Sequence, residues 1–143
     1  MNKETDIEVL DNFFRMLVEK HRQTEEGYIK RHGLAHLTHA DIRAVRRIGI
    51  GRRERMSHLA KALRLTMGTL TSTVDHLVNK GYVQRWRPEH DRRVVEVSLS
   101  EKGIKVFKDI EEGRRRVAEK VFGDLEPGER EYLKHIFNKL IQD

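Results

Sequence analysis

Residues 55–100 read RMSHLAKALRLTMGTLTSTVDHLVNKGYVQRWRPEHDRRVVEVSLS, and their pattern decides the fold. Ser57 can start a helix over SHLAKALRL, with Leu59, Ala60 and Leu63 facing inward and Leu65 closing a tight turn. The small Ala60 permits close approach of another helix. Thr66 then caps a helix from Met67 to Lys80, in which Leu70, Val74, Leu77 and Val78 recur at i, i+4, i+7 and i+8, and Gly81 ends it. Past Gly81 the period changes from 3.6 to 2. Tyr82–Arg87 alternate, Pro88–Asp91 turn and Arg92–Leu99 alternate again, which predicts a two-stranded hairpin with an arginine-rich tip.

Outward from this stretch the chain is helical. Upstream, Ile7, Leu10, Phe14 and Leu17 fall on a 3-4-3 spacing continued by Tyr28, with Phe13 and Val18 widening the stripe, so one long helix is predicted from about Asp6 to His32, stopped by Gly33. Thr38 and Asp41 have the spacing of a capping box, which predicts a second helix over His39–Ile48, closed by Gly49 and Gly51. Downstream, Ser100 caps a helix over Glu101–Phe122 with Ile104, Phe107, Ile110, Val117, Val121 and Phe122 on one stripe. Pro127 opens a last helix, to about Ile141, that carries Tyr132, Leu133, Ile136, Phe137, Leu140 and Ile141. The fold class is therefore mainly α with a small β-hairpin.

A chain of 143 residues with 37% apolar residues can build one core, so a single domain over residues 1–143 is expected. Charged residues reach 36% and mean hydropathy is −0.71, which suits a wetted helical surface. No run approaches the roughly 18 apolar residues of a membrane span, and the N-terminus lacks an export signal, so a cytoplasmic protein without membrane contact is expected. The absence of cysteine removes disulfides, thiolate metal sites and thiol-based oxidant sensing. No nucleophile elbow, phosphate-binding glycine loop or HExxH pattern is present, so no enzyme and no cofactor are expected.

The net charge of +6 favours a polyanionic partner, and its distribution says more than its size. Arg43, Arg46, Arg47, Arg52, Arg53, Arg55, Lys61 and Arg64 face one acid, Glu54, so that segment alone carries +7. A merely solvated helix face would interleave acids at helical spacing. Arg43, Arg46, Arg52, Arg53, Arg55 and Arg64 are accordingly candidate phosphate contacts.

Two helices joined by a short turn and followed by an arginine-tipped hairpin have the plan of a winged helix-turn-helix. In that plan the second helix enters the major groove of double-stranded DNA while the wing sets guanidinium groups on the backbone or in the minor groove. Gly68, Thr69, Thr71, Ser72, Thr73 and His76 are the small or polar residues of that helix suited to approach base edges, and Arg87, His90, Asp91, Arg92 and Arg93 form the candidate wing contacts. Winged helices also serve as protein-interaction scaffolds that read no DNA, and that alternative stays open here.

The stretch SHLAKALRLTMGTLTSTVDHLVNKGYVQRWR, the wing motif Asp91-Arg92-Arg93 and the run from Val97 to Gly103 resemble the MarR-type bacterial transcriptional regulators. Arg64 departs from the pattern, since that turn often carries glycine. The resemblance implies residues 39–100 as the DNA-binding part, with residues 1–38 and 101–143 as dimerisation helices. It further implies a homodimer on a pseudo-palindromic operator, with half-sites roughly 34–36 Å apart, an acid at Asp91 that orients Arg93, and repression relieved or reinforced by a ligand. Ile7, Leu10, Phe14, Tyr132, Ile136 and Leu140 are the candidate dimer contacts; helices at both ends hold more apolar surface than a small winged domain can cover. The stretch MGTLTSTVDHLVNKGYV is also similar to that of the fatty-acid-biosynthesis repressors of Gram-positive bacteria, which implies an acyl-carrier effector in place of another small molecule. The sequence identifies no ligand-binding residue.

Some MarR-type regulators sense zinc, and His32, His36 and His39 cluster beside Asp41 with Glu25 and Glu26 upstream. Such sensors also draw histidines from the helix after the wing, and Glu101–Phe122 has none. A zinc-responsive regulator is therefore the second alternative, with no metal site expected in the first.

Overall fold

The structure is a computed structural model that describes residues 2–142. In chain order the elements are α1 (Lys3–Arg31), α2 (His39–Ile48), β1 (Glu54–Arg55), α3 (Met56–Leu63), α4 (Met67–Asn79), β2 (Val83–Trp86), β3 (Glu96–Leu99), α5 (Glu101–Phe122) and α6 (Pro127–Ile141). They form two compact units: Lys30–Glu112, and Met1–Ile29 with Gly113–Asp143.

In the first of these, short polar residues start and stop the helices. Thr38 Oγ1 accepts the Asp41 amide at 3.1 Å, and Asp41 Oδ2 accepts the Thr38 amide at 2.8 Å, so the predicted capping box holds the start of α2. Thr66 Oγ1 likewise accepts the Thr69 amide at 3.2 Å at the start of α4. The end of α4 is a Schellman turn, in which the Tyr82 amide reaches Leu77 O and the Gly81 amide reaches Val78 O, both at 2.9 Å. Its pivot is Gly81 at φ 80°. The core of this unit is drawn from every layer: Ala44, Val45 and Ile48 of α2, Leu59 of α3, Leu70, Val74 and Leu77 of α4 and Val97 of β3 are all fully buried.

Two expectations are corrected. Ser57 does not start α3: Arg55 occupies the N-cap without a side-chain bond, and Met56 donates its amide to Val95 O at 2.9 Å. That bond extends β1, which pairs with β3 (Glu54 opposite Val97, Arg55 opposite Glu96), so the sheet has three strands in the order β1-β3-β2. The wing strands are also shorter than predicted. Val83–Trp86 pair antiparallel with Glu96–Leu99, and residues 87–95 are irregular, because Asp91 N bonds Pro88 O at 3.3 Å and Val94 N bonds Asp91 O at 3.2 Å in successive turns.

The wing is tied to α5 by Ser100. Its hydroxyl donates to Gly81 O at 2.5 Å and accepts the Gly103 amide at 3.0 Å, while its own amide reaches Tyr82 O at 3.0 Å. Gly103 then lies so close to the chain that a Cβ would stand 1.9 Å from Tyr82 O.

In the other unit α1 and α6 bury little. Tyr28 is the buried residue of α1, packed where a Cβ on Gly113 would stand 2.5 Å from its ring, and Phe122 meets Phe137 edge-on at 6.3 Å. Arg22 bridges Glu19 and Glu26 along the outside of α1 at 2.6 and 2.5 Å, and its hydrogen bond, helped by Gln23, holds the Glu19 carboxyl down at about 2. Ile7, Leu10, Phe13, Phe14 and Met16 of α1, and Tyr132, Leu140 and Ile141 of α6, remain more than half exposed.

Replacing Gly103 with Ala is expected to destabilise the chain by about 2–3 kcal/mol in urea denaturation, as backbone must move to admit the methyl group. Gly128→Ala, at a position with open space around it, is the control and should not destabilise.

Candidate nucleic-acid interface

The outer side of α4 is made by what its inner side buries. Leu70, Thr73 and Leu77 share one row at i, i+3 and i+7, so Thr73 is buried and its hydroxyl donates back to Thr69 O at 3.0 Å. Thr73 therefore drops out of the predicted surface set. Gly68, Thr69, Thr71 and Ser72 remain exposed at the N-terminal end of the helix. Thr69 accepts a bond from the Thr66 hydroxyl at 2.9 Å, and Thr71 donates to Met67 O at 2.8 Å. His76 is half-buried, with Nδ1 2.8 Å from Oδ2 of Asp41, itself 1% exposed. The Nδ1 edge of its ring turns toward α2.

Beside α4 stands the wing. Asp91 Oδ1 accepts both the Arg93 amide (3.1 Å) and Nε (3.3 Å), which orients a side chain that is 94% exposed. Arg87 donates to Arg92 O at 2.8 Å and so crosses the loop, while His90 and Arg92 point into solvent. Arg85 and Trp86, both outside the predicted set, hold the base of the wing together with Arg53, one of the predicted phosphate contacts. Arg85 of β2 pairs with Asp75 of α4, and Trp86 donates Nε1–H to Ser98 Oγ at 2.7 Å. Arg53 stacks over the Trp86 ring at 3.9 Å from its centroid. Between helix and wing lies a hollow of about 420 Å³ walled by Met67, Thr71 and Asp75 on one side and Arg85, Arg87 and Val95 on the other. An alternating strand records that Arg85 and Trp86 face opposite sides; it does not record which acid or hydroxyl awaits them.

The basic segment divides by role. Arg43 donates to Leu63 O at 2.9 Å, closing the C-terminus of α3, and Arg46 pairs with Glu111 at 2.8 Å. These two of the six predicted phosphate contacts are occupied within the fold. Arg52 folds back to Arg47 O at 3.1 Å, Arg53 is the stacked residue, and Arg55 and Arg64 are exposed. Arg64 is the single non-glycine residue at positive φ among those described, at 55°. Its amide bonds Lys61 O and the Leu65 amide bonds Ala60 O, the same end-turn that uses glycine at Gly81.

Among the described residues no three His, Asp or Glu side chains gather to hold a metal ion. The histidines do not converge as the zinc alternative requires: His36 Nε2 is 2.8 Å from the Tyr82 hydroxyl, within a tilted ring pair.

Residues 33–110 match the family described as transcriptional regulator SarA/Rot, and the chain belongs to that family. That family is one of transcriptional regulators, and the fold is a winged helix. The HTH-type transcriptional regulator SarZ of Staphylococcus haemolyticus (strain JCSC1435) is 33% identical over 79 residues, 55% of this chain; the match spans about half of that relative, 52%. The YusO protein of Bacillus subtilis superposes with a TM-score of 0.82 at 20% identity, over 98% of this chain and 97% of that one. A mutant MarR of E. coli, complexed with operator DNA, gives 0.70 at 22% identity, over 99% and 100% of the two chains. These likenesses establish the fold, a winged helix of the MarR type.

A left-handed arginine is a strained one. Arg64→Gly should stabilise the protein by about 1 kcal/mol relative to Arg64→Ala in urea denaturation, both variants lacking the charge and only glycine relieving the backbone. Equal stability of the two would mean that the turn imposes no strain.

Proposed function

We propose that the chain is a repressor that binds a pseudo-palindromic operator as a homodimer, with α4 in the major groove. The observation that carries this reading is the placement of an exposed row of small and hydroxyl residues, Gly68, Thr69, Thr71 and Ser72, beside a wing whose arginines face solvent. Small side chains let the helix backbone approach base edges, and hydroxyls can donate or accept there. Arg92 and Arg93, then Arg87 and His90, supply the wing contacts, with Asp91 orienting Arg93. Arg52, Arg53, Arg55 and Arg64 remain for phosphates. The complex of an E. coli MarR mutant with operator DNA shares this fold, which supports a duplex as partner.

Dimerisation is assigned to α1 and α6. Ile7, Leu10, Phe14, Tyr132 and Leu140 are between 55% and 74% exposed, and Ile136 is half-buried among them in sequence. Apolar residues recurring on such long helices form a face larger than a monomer leaves wet. Regulation then follows if an effector, a small molecule or an acyl group on its carrier, binds two forms of the dimer with different affinity.

The DNA reading is tested by titrating random duplex at several salt concentrations. A slope steeper than about −2 in log K against log salt is expected, and a flat titration would assign the winged helix to protein contacts instead. Arg92→Ala with Arg93→Ala should weaken binding more than tenfold. Unchanged binding would remove the wing from the interface. For the dimer, sedimentation should give twice the 16.9 kDa of one chain, and Leu10→Glu combined with Leu140→Glu should return it to that single mass.

A further inference from the structure

The best-connected buried charge of the winged unit lies behind α4. Asp41 is 1% exposed, and a carboxylate so placed must be compensated by donors. It has three sources: the Thr38 amide at 2.8 Å on Oδ2, the positive N-terminal end of α2, and Nδ1 of His76, also 2.8 Å from Oδ2. A carboxylate only accepts, so the His76 proton belongs on Nδ1, and Nε2 is left on the outward side of a ring that is 35% exposed. His76 stands four residues after Ser72 and seven after Thr69, at the edge of the row that would face DNA.

Accepting the DNA reading above, we propose that His76 is a positioning residue for α4 and not a base reader: its Nδ1–H, held by the buried carboxylate of Asp41, fixes the rotation of the helix about its own axis. The need for such a bond is physical. Leu70, Val74 and Leu77 hold α4 to the core by burial, which is non-directional and tolerates a small roll. Side chains lie some 5–6 Å from a helix axis, so a roll of about 10° displaces Thr69 and Ser72 by about 1 Å. A displacement of that size separates a hydrogen bond to a base edge from none, whereas phosphate attraction scarcely senses it. The bond joins α4 to the capping box of α2, whose two reciprocal hydrogen bonds fix that helix start.

The test separates the two ring nitrogens. A duplex selected from a random library by the full-length wild-type chain serves as the specific probe, and a scrambled duplex as the non-specific one. His76→Asn puts an amide donor where Nδ1 stands; His76→Gln puts one where Nε2 stands. Positioning predicts that Asn keeps specific affinity within about threefold, while Gln loses tenfold or more on the selected duplex with its affinity for scrambled duplex and its salt slope unchanged. The reverse pattern, a changed base preference with Asn, or equal behaviour of the two variants overturns the proposal. Nitrogen NMR of the wild-type imidazole gives a second readout that needs no variant: the proton should sit on Nδ1, and finding the Nε2–H tautomer overturns it too. If the wild-type chain binds neither duplex, the DNA reading itself falls and takes this proposal with it; retained binding with a contrary variant pattern removes the positioning role alone.

Discussion

One burial event governs the rest of the winged unit. Leu70, Thr73, Val74 and Leu77 turn one side of α4 into the core formed with α2, α3 and the sheet. Each fully buried aliphatic side chain contributes about 1.5–3 kcal/mol relative to exposure, more than any surface bond of this unit can oppose. The outer side of α4 is thus defined by subtraction. The same packing brings Asp75 against Arg85 of β2, so the helix and the wing are held together by an ion pair whose members are placed by apolar residues.

That hierarchy explains what is legible in the sequence. The helices, their caps at Thr38, Thr66 and Ser100, and the stop at Gly81 are local effects, each decided by side chains within four residues of where they act. The pattern of Leu70, Val74 and Leu77 likewise needs no partner to be read. β1 is not legible, since two charged residues carry no alternation and their strand exists only because β3 offers a free side. Ser57 misleads for the same reason, because the sheet bond from Met56 to Val95 O lets the helix begin two residues earlier, with Arg55 at the N-cap and Ser57 already inside the first turn. Thr73 groups with its polar neighbours by chemistry, although its spacing from Leu70 and Leu77 already places it inside. Chemistry and periodicity disagree there, and periodicity prevails.

The arginines show a different limit. Sequence counts charges but does not say which are already engaged, and a guanidinium with five donors is as useful to a helix end as to a phosphate. Arg43 closes α3 through Leu63 O, Arg46 meets Glu111, and Arg53 lies on Trp86. Stacking does not neutralise Arg53, so its charge still contributes to the field around the wing. The local excess of positive charge is real, but its outward part is smaller than the count implies.

Arg64 is where these themes meet. The turn between α3 and α4 closes by the same pair of backbone bonds that closes α4 at Gly81, and in both the pivot residue is left-handed. At Gly81 the residue fits its geometry; at Arg64 it does not, and the packing of Leu59 and Leu63 before it and Leu70 after it holds the turn regardless. Strain kept at an exposed position calls for a compensating use of the side chain. The charge projecting from the turn ahead of α4 is such a use under the DNA reading, because it stands beside the helix N-terminus, itself an attractor of phosphate. Glycine there would ease the fold and, under the DNA reading, take away the charge that the turn offers to a phosphate.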